Sequence, residues 1–316
     1  MDESARINSR SLRTRLGPLE LKTPLIAASG TFGYGREFEG LTEFEYFGAI
    51  TLKAVSLEPR AGNAYPRIVE TPSGMLNCIG LENPGIEVFV RDKIPDAAKL
   101  GVPLIANLVG DRVEDYAKLA GILDREADLA ALEINASCPN VDHGYTAFAA
   151  DRESLGELVR AVRESTAKPL IAKLSPNVTD ILPIAQAALD AGADILNLGN
   201  TVLGMAIDIE TRKSRLSRDY AGLSGHAIRP IALRIVHQVA SALSAPIIGS
   251  GGTYETSDAL EFFIAGASAV SLGTVNFIHP NRAREICMGL AEYLSAHGIS
   301  LHDLIGSYEG PSTCAP

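Results

Sequence analysis

The chain has 316 residues, of which 46% are hydrophobic and 21% are charged. This composition excludes a disordered or fibrous protein and predicts one large globular domain, residues 1–316, with about 1–10 and 307–316 frayed. The 28 Lys and Arg residues against 38 Asp and Glu residues give a net charge of −10. That charge excludes the basic surface that binding to nucleic acid or to an acidic membrane requires.

The cysteines and the apolar runs indicate where such a protein resides. Cys78, Cys138, Cys287 and Cys314 show no CxxC spacing, and the chain opens with no charged-apolar-small leader segment. No apolar run reaches the roughly 18–20 residues that span a bilayer. We therefore expect a soluble, cytoplasmic protein in reducing surroundings.

Short apolar runs recur along the chain, and segments with helical periodicity lie between them. Near-continuous apolar strands alternating with helices are typical of parallel strands covered on both faces. Eight such units predict an α/β fold, specifically a closed (β/α)8 TIM barrel rather than an open sheet. The predicted strands are 24–29, 49–54, 103–108, 131–136, 169–174, 194–199, 246–251 and 269–274. The predicted helices are 113–125, 154–165, 181–191, 228–243, 257–265 and 283–296.

Three further segments stand outside this alternation. Residues 12–22, with a Gly17-Pro18 turn between two short alternating runs, predict a hairpin that plugs the amino-terminal end of the barrel. Two connections, 55–101 and 201–227, exceed the roughly 4–6 residues of most loops in compact domains. Long insertions on the catalytic face often form lids or substrate walls, and we expect that role here.

Cys138 lies in the segment Asn135-Ala136-Ser137-Cys138-Pro139-Asn140, directly after the fourth predicted strand. Barrel enzymes carry their active sites at the carboxyl ends of the strands. A thiol can accept a proton or act as a nucleophile, and the flanking amides add donors and acceptors without charge. The segment indicates a site that handles a proton beside a polar, planar substrate. The alternative is a buried thiol that acts as a small hydrophobe.

Lysines and amides occur at other predicted strand ends. Lys53 and Lys173 end the second and fifth strands, where an ammonium group can hold an anion or form a Schiff base, or else snorkel to solvent from the rim. Side-chain amides also lie at strand ends or in the first insertion: Asn77, Asn107, Asn135, Asn140, Asn197 and Asn200. Each alone is typical of a turn or cap, but together they favour a heteroaromatic ligand.

The last two predicted strands end in glycines, in Gly249-Ser250-Gly251-Gly252-Thr253 and in Gly273-Thr274. Barrels often bind phosphate at these two positions, because glycines let backbone N–H groups approach it closely. A phosphorylated cofactor or substrate is predicted; the alternative is that the glycines only turn the chain. The six histidines show no HxxH or HxH spacing and no ligand cluster completes a site, so we expect no metal.

Longer motifs follow one another in a fixed order. They are Ala28-Ser29-Gly30-Thr31-Phe32-Gly33, the segments 59–63 and 66–67, Glu70-Thr71-Pro72-Ser73-Gly74-Met75-Leu76-Asn77, Ile79-Gly80-Leu81-Glu82-Asn83-Pro84-Gly85, 135–141 and 200–206. With these motifs, residues 16–276 resemble the catalytic subunit of class 1 dihydroorotate dehydrogenase. Residues 74–77 and 79–81 resemble class 1B rather than the fumarate-reducing class 1A.

This resemblance implies both ligands and residues. It implies that FMN is bound by Ser29, Lys53, Ala54, Asn107, Asn135, Lys173, Gly199, Gly225, Gly251, Gly252, Gly273 and Thr274. It implies that the substrate is bound by Lys53, Asn77, Ile79, Gly80, Leu81, Asn135, Asn140, Asn200 and Thr201.

The resemblance also implies a reaction, the FMN-dependent oxidation of (S)-dihydroorotate to orotate in de novo UMP biosynthesis. Cys138 would remove the C5 proton while hydride passes from C6 to the flavin N5. The electrons would continue to NAD through a partner subunit that carries FAD and a 2Fe-2S cluster. A homodimer of catalytic subunits within a heterotetramer is the implied assembly.

Several positions depart from the family pattern. The loop after Cys138 reads His143-Gly144-Tyr145 and Phe148-Ala149, where a Gly pair and a Phe-Gly are usual. His226 stands for Pro, Ser250 for Met and Glu82 for Gln. Three alternatives stay open: a class 1A-like enzyme that uses fumarate, a Schiff-base lyase with Lys173 as nucleophile, and a non-catalytic flavin-binding subunit.

Overall fold

The structure, a computed structural model, describes residues 12–136, 148 and 151–311. The predicted frayed segment 1–10 lies outside the described residues, as does the part of the other one after residue 311. Residues 307–311 follow the last helix without regular structure. Within the described part of the chain, no helix is both long and apolar enough to cross a membrane.

Eight parallel strands close into a barrel, which confirms the predicted (β/α)8 fold. Each strand pairs with the next in chain order, and the last pairs with the first. The barrel strands are β3 (Leu25–Ala27), β4 (Ala49–Thr51), β7 (Leu104–Leu108), β8 (Leu129–Asn135), β9 (Leu170–Leu174), β10 (Ile195–Leu198), β15 (Ile247–Ser250) and β16 (Ala269–Leu272). Helices cover the outer face, so both faces of most strands are buried, which explains their continuous apolar runs.

The helices surround the barrel and confirm the six predicted helical segments. They are α3 (Val113–Leu123), α4 (Arg152–Glu164), α5 (Leu182–Asp190), α6 (Arg229–Ala242), α7 (Thr256–Ile264), α8 (Val275–Ile278), α9 (Arg282–His297) and α10 (Leu301–Leu304). A further helical stretch was missed, because it lies inside the insertion 55–101. It consists of α1 (Ile86–Val88), a π-helical turn (Phe89–Lys93) and α2 (Ile94–Ala98). Only short 3-10 turns, Arg36–Phe38 and Phe44–Tyr46, connect β3 to β4.

The predicted hairpin is present and plugs the amino-terminal end of the barrel. Its strands β1 (Thr14–Leu16) and β2 (Leu19–Leu21) pair antiparallel. Leu16, Leu19 and Leu21 pack against one apolar residue from each barrel strand. Those eight residues are Ile26, Ala49, Ile105, Ala131, Ile171, Ile195, Ile248 and Ala269. The apolar residues of the hairpin alternate with polar ones because one face of the strand pair packs on the barrel interior and the other does not.

The two long insertions form one antiparallel sheet above the carboxyl end of the barrel. Its strand order is β11–β14–β6–β5, so each insertion contributes one antiparallel pair, and β14 of one pair is hydrogen-bonded to β6 of the other. The strands are β5 (Ile68–Thr71), β6 (Gly74–Asn77), β11 (Val202–Gly204) and β14 (Ala221–Ser224). A small hairpin of β12 (Ile207–Asp208) and β13 (Lys213–Ser214) extends from β11. A separate apolar cluster around Leu76, Cys78 and Leu216 stabilises this sheet.

Candidate active site

The inward-facing residues change from apolar to polar along the barrel axis. Side chains in a strand alternate between its two faces, so positions two apart face the same side. On seven strands, the position two residues after the apolar residue beneath the hairpin is polar. These seven residues are Thr51, Asn107, Glu133, Lys173, Asn197, Ser250 and Ser271. The carboxyl half of the barrel is therefore lined by groups that can hydrogen-bond.

A cleft of about 320 Å³ opens above these residues, between the barrel and the insertion sheet. Volumes of about 300–1,000 Å³ are typical of sites for small molecules. Nearly all the described residues that the sequence predicts for the site line this cleft. They are Ser29, Lys53, Ala54, Asn77, Ile79, Gly80, Leu81, Asn135, Lys173, Gly199, Asn200, Thr201, Gly225, Gly251, Gly252, Gly273 and Thr274. The exception is Asn107, which is fully buried behind the lining.

The two predicted lysines both reach the cleft. Lys53 follows β4 and Lys173 lies on β9, and both are half-buried. Among the described residues, neither ammonium group has a hydrogen-bond acceptor or an ion-pair partner. An ammonium group that is partly buried without an anion is unfavourable, so the pair suits an anionic or strongly hydrogen-bonding ligand.

The glycine-rich end of the cleft is built from backbone that only glycine can adopt. Gly252 has a φ of +83°, and a Cβ added there would lie 2.6 Å from the backbone nitrogen of Arg229 at the start of α6. Gly199, at the end of β10, lies against the Ser250 carbonyl oxygen, where no Cβ would fit. The Thr274 hydroxyl donates to Ser224 Oγ at 2.8 Å, which joins the end of β16 to β14. This end is a concave surface of main chain suited to a phosphate.

The insertion sheet supplies the opposite wall. Asn77 Nδ2 donates to the Gly222 carbonyl oxygen at 3.4 Å, which links β6 to β14 within the sheet. Leu81 has a φ of +59°, an unusual value for a non-glycine residue. Backbone in sparsely populated regions concentrates at binding and catalytic sites, and Leu81 lines the cleft.

Sequence reasoning did not single out Glu133, although it is central to the site. Its side chain is 1% exposed, and its two oxygens accept from Asn107 Nδ2 and Asn197 Nδ2, each at 2.6 Å. Asn197 Oδ1 in turn accepts from Ser250 Oγ at 2.6 Å. The available signal was an acidic residue inside an apolar strand, two positions before Asn135 and hence on the same face.

Cys138 and Asn140 lie outside the described residues, as do His143, Gly144, Tyr145, Ala149 and Cys314. The flanks of this loop are described. The Tyr116 hydroxyl donates to the Asn135 carbonyl oxygen at 3.0 Å, and the Tyr116 ring meets Phe148 edge-on with centroids 5.9 Å apart. A helix of the barrel thus holds the point where the chain leaves β8 towards Cys138.

The described cysteines lie away from the cleft lining. Cys78 is buried beneath the insertion sheet with its thiol 3.8 Å from the Pro66 carbonyl oxygen. Burial raises the pKa of the Cys287 thiol to about 12, so it is protonated at neutral pH. Both have the surroundings of structural cysteines.

Three departures from the family pattern fall in the described part of the chain. Ser250 lines the cleft and belongs to the network of Glu133. Glu82 also lines the cleft and forms an ion pair with Arg67. His226 follows Gly225, and its Nε2 lies 3.7 Å from Oδ1 of the buried Asp258. Within the described ranges, no group of three or more His, Cys, Asp and Glu side chains could hold a metal ion.

The family model described as dihydroorotate dehydrogenase matches residues 11–294. The chain belongs to the dihydroorotate dehydrogenase family. The predicted resemblance is thus confirmed, and with it the assignment to a family of oxidoreductases.

The relatives in this family match over almost their whole length. A protein of Pelobacter propionicus is 52% identical over 299 residues, which cover 94% of this chain and 98% of the relative. One of Geotalea daltonii is 50% identical over 94% of this chain and 97% of the relative. One of Desulforamulus reducens is 48% identical over 94% and 98%. All three are named dihydroorotate dehydrogenase B (NAD(+)), catalytic subunit, which confirms the resemblance to class 1B rather than class 1A.

Proposed function

We propose that the chain oxidises (S)-dihydroorotate to orotate in de novo UMP biosynthesis, with FMN as its cofactor. The observation that carries the proposal is one cleft with a glycine-built end, two lysines without an anion and a polar wall from the insertion sheet. Relatives about 50% identical over nearly their whole length are named as catalytic subunits of that dehydrogenase. Family and site therefore point to the same reaction.

The residues of the cleft fit FMN. The backbone around Gly225, Gly251, Gly252 and Gly273 suits the phosphate, with the Thr274 hydroxyl beside it. Among the described residues, the buried Asn107 Oδ1 has no hydrogen-bond partner, so an acceptor is left over beneath the cleft. Lys173, Lys53 and Asn135 would hold the polar edge of the isoalloxazine, together with Ser29, Ala54 and Gly199 along its sides.

The substrate would lie against the insertion wall. Asn77, Asn135, Asn140 and Asn200 would pair with its N–H and C=O groups, and Thr201, Ile79, Gly80 and Leu81 would enclose it. The ammonium group of Lys53 would balance the negative charge of the substrate carboxylate. These amides would orient a planar ring without adding charge, which would hold the reacting carbons in place for proton and hydride transfer.

Cys138 would act as the base. As a thiolate it would remove the proton from C5 of dihydroorotate, and FMN, when bound, would supply the hydride acceptor for C6. A thiolate base requires the deprotonated thiol, so activity should rise with pH through the thiol's pKa. A rate that stays constant from mildly acidic to alkaline pH would contradict this role.

The electrons would then leave this chain for NAD. The relatives are named as the catalytic subunit of an NAD(+) enzyme, so a second subunit belongs to the assembly. We propose that this partner carries FAD and a 2Fe-2S cluster, and that two catalytic subunits form a homodimer within a heterotetramer. We also propose that residues 1–316 form one FMN-binding barrel domain without metal, in the cytoplasm, with no nucleic-acid or membrane partner.

The test is an anaerobic absorbance spectrum of the purified chain before and after dihydroorotate is added. We expect a flavin band that bleaches, because bleaching means that hydride has reached the cofactor. A flavin band that persists would overturn the assignment of dihydroorotate as the substrate. A colourless protein that FMN cannot reconstitute would overturn the assignment of FMN as the cofactor. Borohydride trapping with substrate would then test Lys173 as a Schiff-base nucleophile.

A further inference from the structure

The buried carboxylate of Glu133 lies at the centre of a hydrogen-bonded chain beneath the cleft. The chain runs from Asn107 on β7 through Glu133 on β8 to Asn197 on β10 and Ser250 on β15. It thus joins four of the eight barrel strands. Asn197 and Ser250 line the cleft, whereas Asn107 and Glu133 are shielded from solvent.

An ionised carboxylate only accepts hydrogen bonds, so Glu133 determines which way both asparagine amides point. Each amide turns its nitrogen towards Glu133, and each oxygen is left facing elsewhere. The Asn197 oxygen receives the Ser250 hydroxyl proton, so Ser250 Oγ has only acceptor lone pairs left for the cleft. The Asn107 oxygen has no hydrogen-bond partner in the part of the chain that the structure describes. Glu133 thereby presents acceptors, not donors, beneath the cleft.

Building this arrangement requires an unfavourable step, the burial of a carboxylate. Such a group is tolerated only when it is well hydrogen-bonded, and replacing it with an apolar residue would be the simpler way to fill a barrel. The residues two positions earlier on the same strands are apolar and pack without polar partners. The carboxylate therefore serves the cleft rather than the packing of the barrel.

We propose that Glu133 is a positioning residue for the cofactor, which orients Asn107 and, through Asn197, Ser250 so that their acceptor oxygens face the flavin. The inference rests on the proposed FMN site. It also assigns a role to Ser250, where this chain departs from the Met usual in the family. A methionine there could not donate to Asn197.

The test compares Glu133→Gln with the wild-type chain in FMN titrations of the apoprotein and in the reduction potential of the bound flavin. The glutamine amide would place its own N–H groups against one of the two asparagine amides, and that amide would have to turn over. We expect the Kd for FMN to rise about tenfold, the cost of one buried hydrogen bond to a charged group. We expect a higher reduction potential, because a negative charge that disfavours the electron-rich flavin is lost.

Asp194→Asn is the matched control. Asp194 also joins barrel strands, since its Oδ2 accepts from Leu170 N at 2.8 Å and Arg163 Nη1 at 3.1 Å, but it does so at the amino-terminal end. This variant should lower stability and leave the Kd and the potential unchanged. Glu133→Gln with the wild-type Kd and potential would overturn the proposal.

If Glu133→Gln gives no folded protein, Ser250→Ala tests the proposal instead. It removes the cleft-facing end of the chain and leaves Glu133 with both amide donors, so we expect folded protein, FMN binding weakened about threefold and a shifted flavin absorption maximum. An unchanged Kd and spectrum would overturn the proposal. These readouts need no dihydroorotate, so a failure of the proposed substrate is distinguishable, whereas a wild-type chain that binds no FMN would overturn both.

Discussion

The two ends of this barrel are built from the same eight strands and have opposite chemistry. At the amino-terminal end, one apolar side chain from each strand packs under the leucines of the hairpin. Two residues further along seven of those strands, the inward positions are Thr, Asn, Glu, Lys, Asn, Ser and Ser. The apolar layer and the polar layer are thus only two residues apart along each strand. Stability and chemistry are thus assigned to different positions of one repeating element.

The largest effect should come from the loop at the polar end. Cys138→Ala removes the proposed base, and we expect the reduction of bound flavin by dihydroorotate to slow by about 10²–10⁴-fold with FMN still bound. Anaerobic stopped-flow absorbance measures this rate. Cys78→Ala is the control, because that thiol is buried beneath the insertion sheet. Equal losses in the two variants would remove Cys138 from its role.

The packed end should respond in stability and not in chemistry. Leu16 is fully buried under the barrel, so Leu16→Ala should lower the free energy of unfolding by about 2–5 kcal/mol. Denaturant titration of the apoprotein measures this change, and the rate of flavin reduction should stay at the wild-type value. Arg15→Ala, on the exposed face of the same strand, should change neither quantity. A slower reduction in Leu16→Ala would show that the two ends are coupled.

At the polar end, a glycine shapes the proposed phosphate site. Gly252→Ala forces a side chain into the left-handed region and against Arg229, which costs roughly 1–2 kcal/mol and should raise the Kd for FMN about tenfold. Gly298, at the end of α9, has a similar φ of +64°, but a Cβ added there would have no atom within 4 Å, so Gly298→Ala is the control. It should lower stability and leave FMN affinity unchanged. If both variants bind FMN equally, close packing at Gly252 does not shape the phosphate end.

The smallest effect concerns pH at the packed end. Hydrogen bonds from the Thr166 hydroxyl and the Ala167 N–H, at 2.6 and 2.8 Å, hold the pKa of Asp124 below its ordinary value. A carboxyl whose pKa is lowered by folding stabilises the protein above its ordinary pKa and loses that contribution as pH falls through the folded pKa. Asp124→Asn should therefore be less stable than wild type at pH 6, and the difference should vanish in strong acid. Denaturant titrations across this range measure it, and a difference independent of pH would contradict the assignment.

The sequence predicted the elements where its periodicities were strong. Eight apolar runs yielded the eight barrel strands, and the alternation of Leu16, Leu19 and Leu21 yielded the plug. It missed the helical stretch from Ile86 to Ala98, because this stretch lies inside a long insertion and no strong N-cap residue marks where it begins. The preceding Gly85 has a φ of +80° and makes no side-chain cap.

The candidate site was predictable where residue type alone limits the chemistry. Lysines, amides and glycines at strand ends indicated an anionic, planar ligand, and the described ones except Asn107 and Gly249 line the cleft. Glu133 was not predicted, because an acidic residue in an apolar strand can equally face solvent. The role of Glu133 depends on its hydrogen bonds to Asn107 and Asn197, which lie 26 and 64 residues away in the chain.

The amino-acid sequence by itself determined the barrel, its plug, the family and most of the cleft lining, because these follow from local periodicity and from motifs of adjacent residues. Tertiary structure alone decided that strands of both insertions share one sheet and that Asn107 lies behind the cleft. It also decided that one buried carboxylate orients two amides from other strands. These features depend on which distant residues meet, and closure of the barrel brings them together.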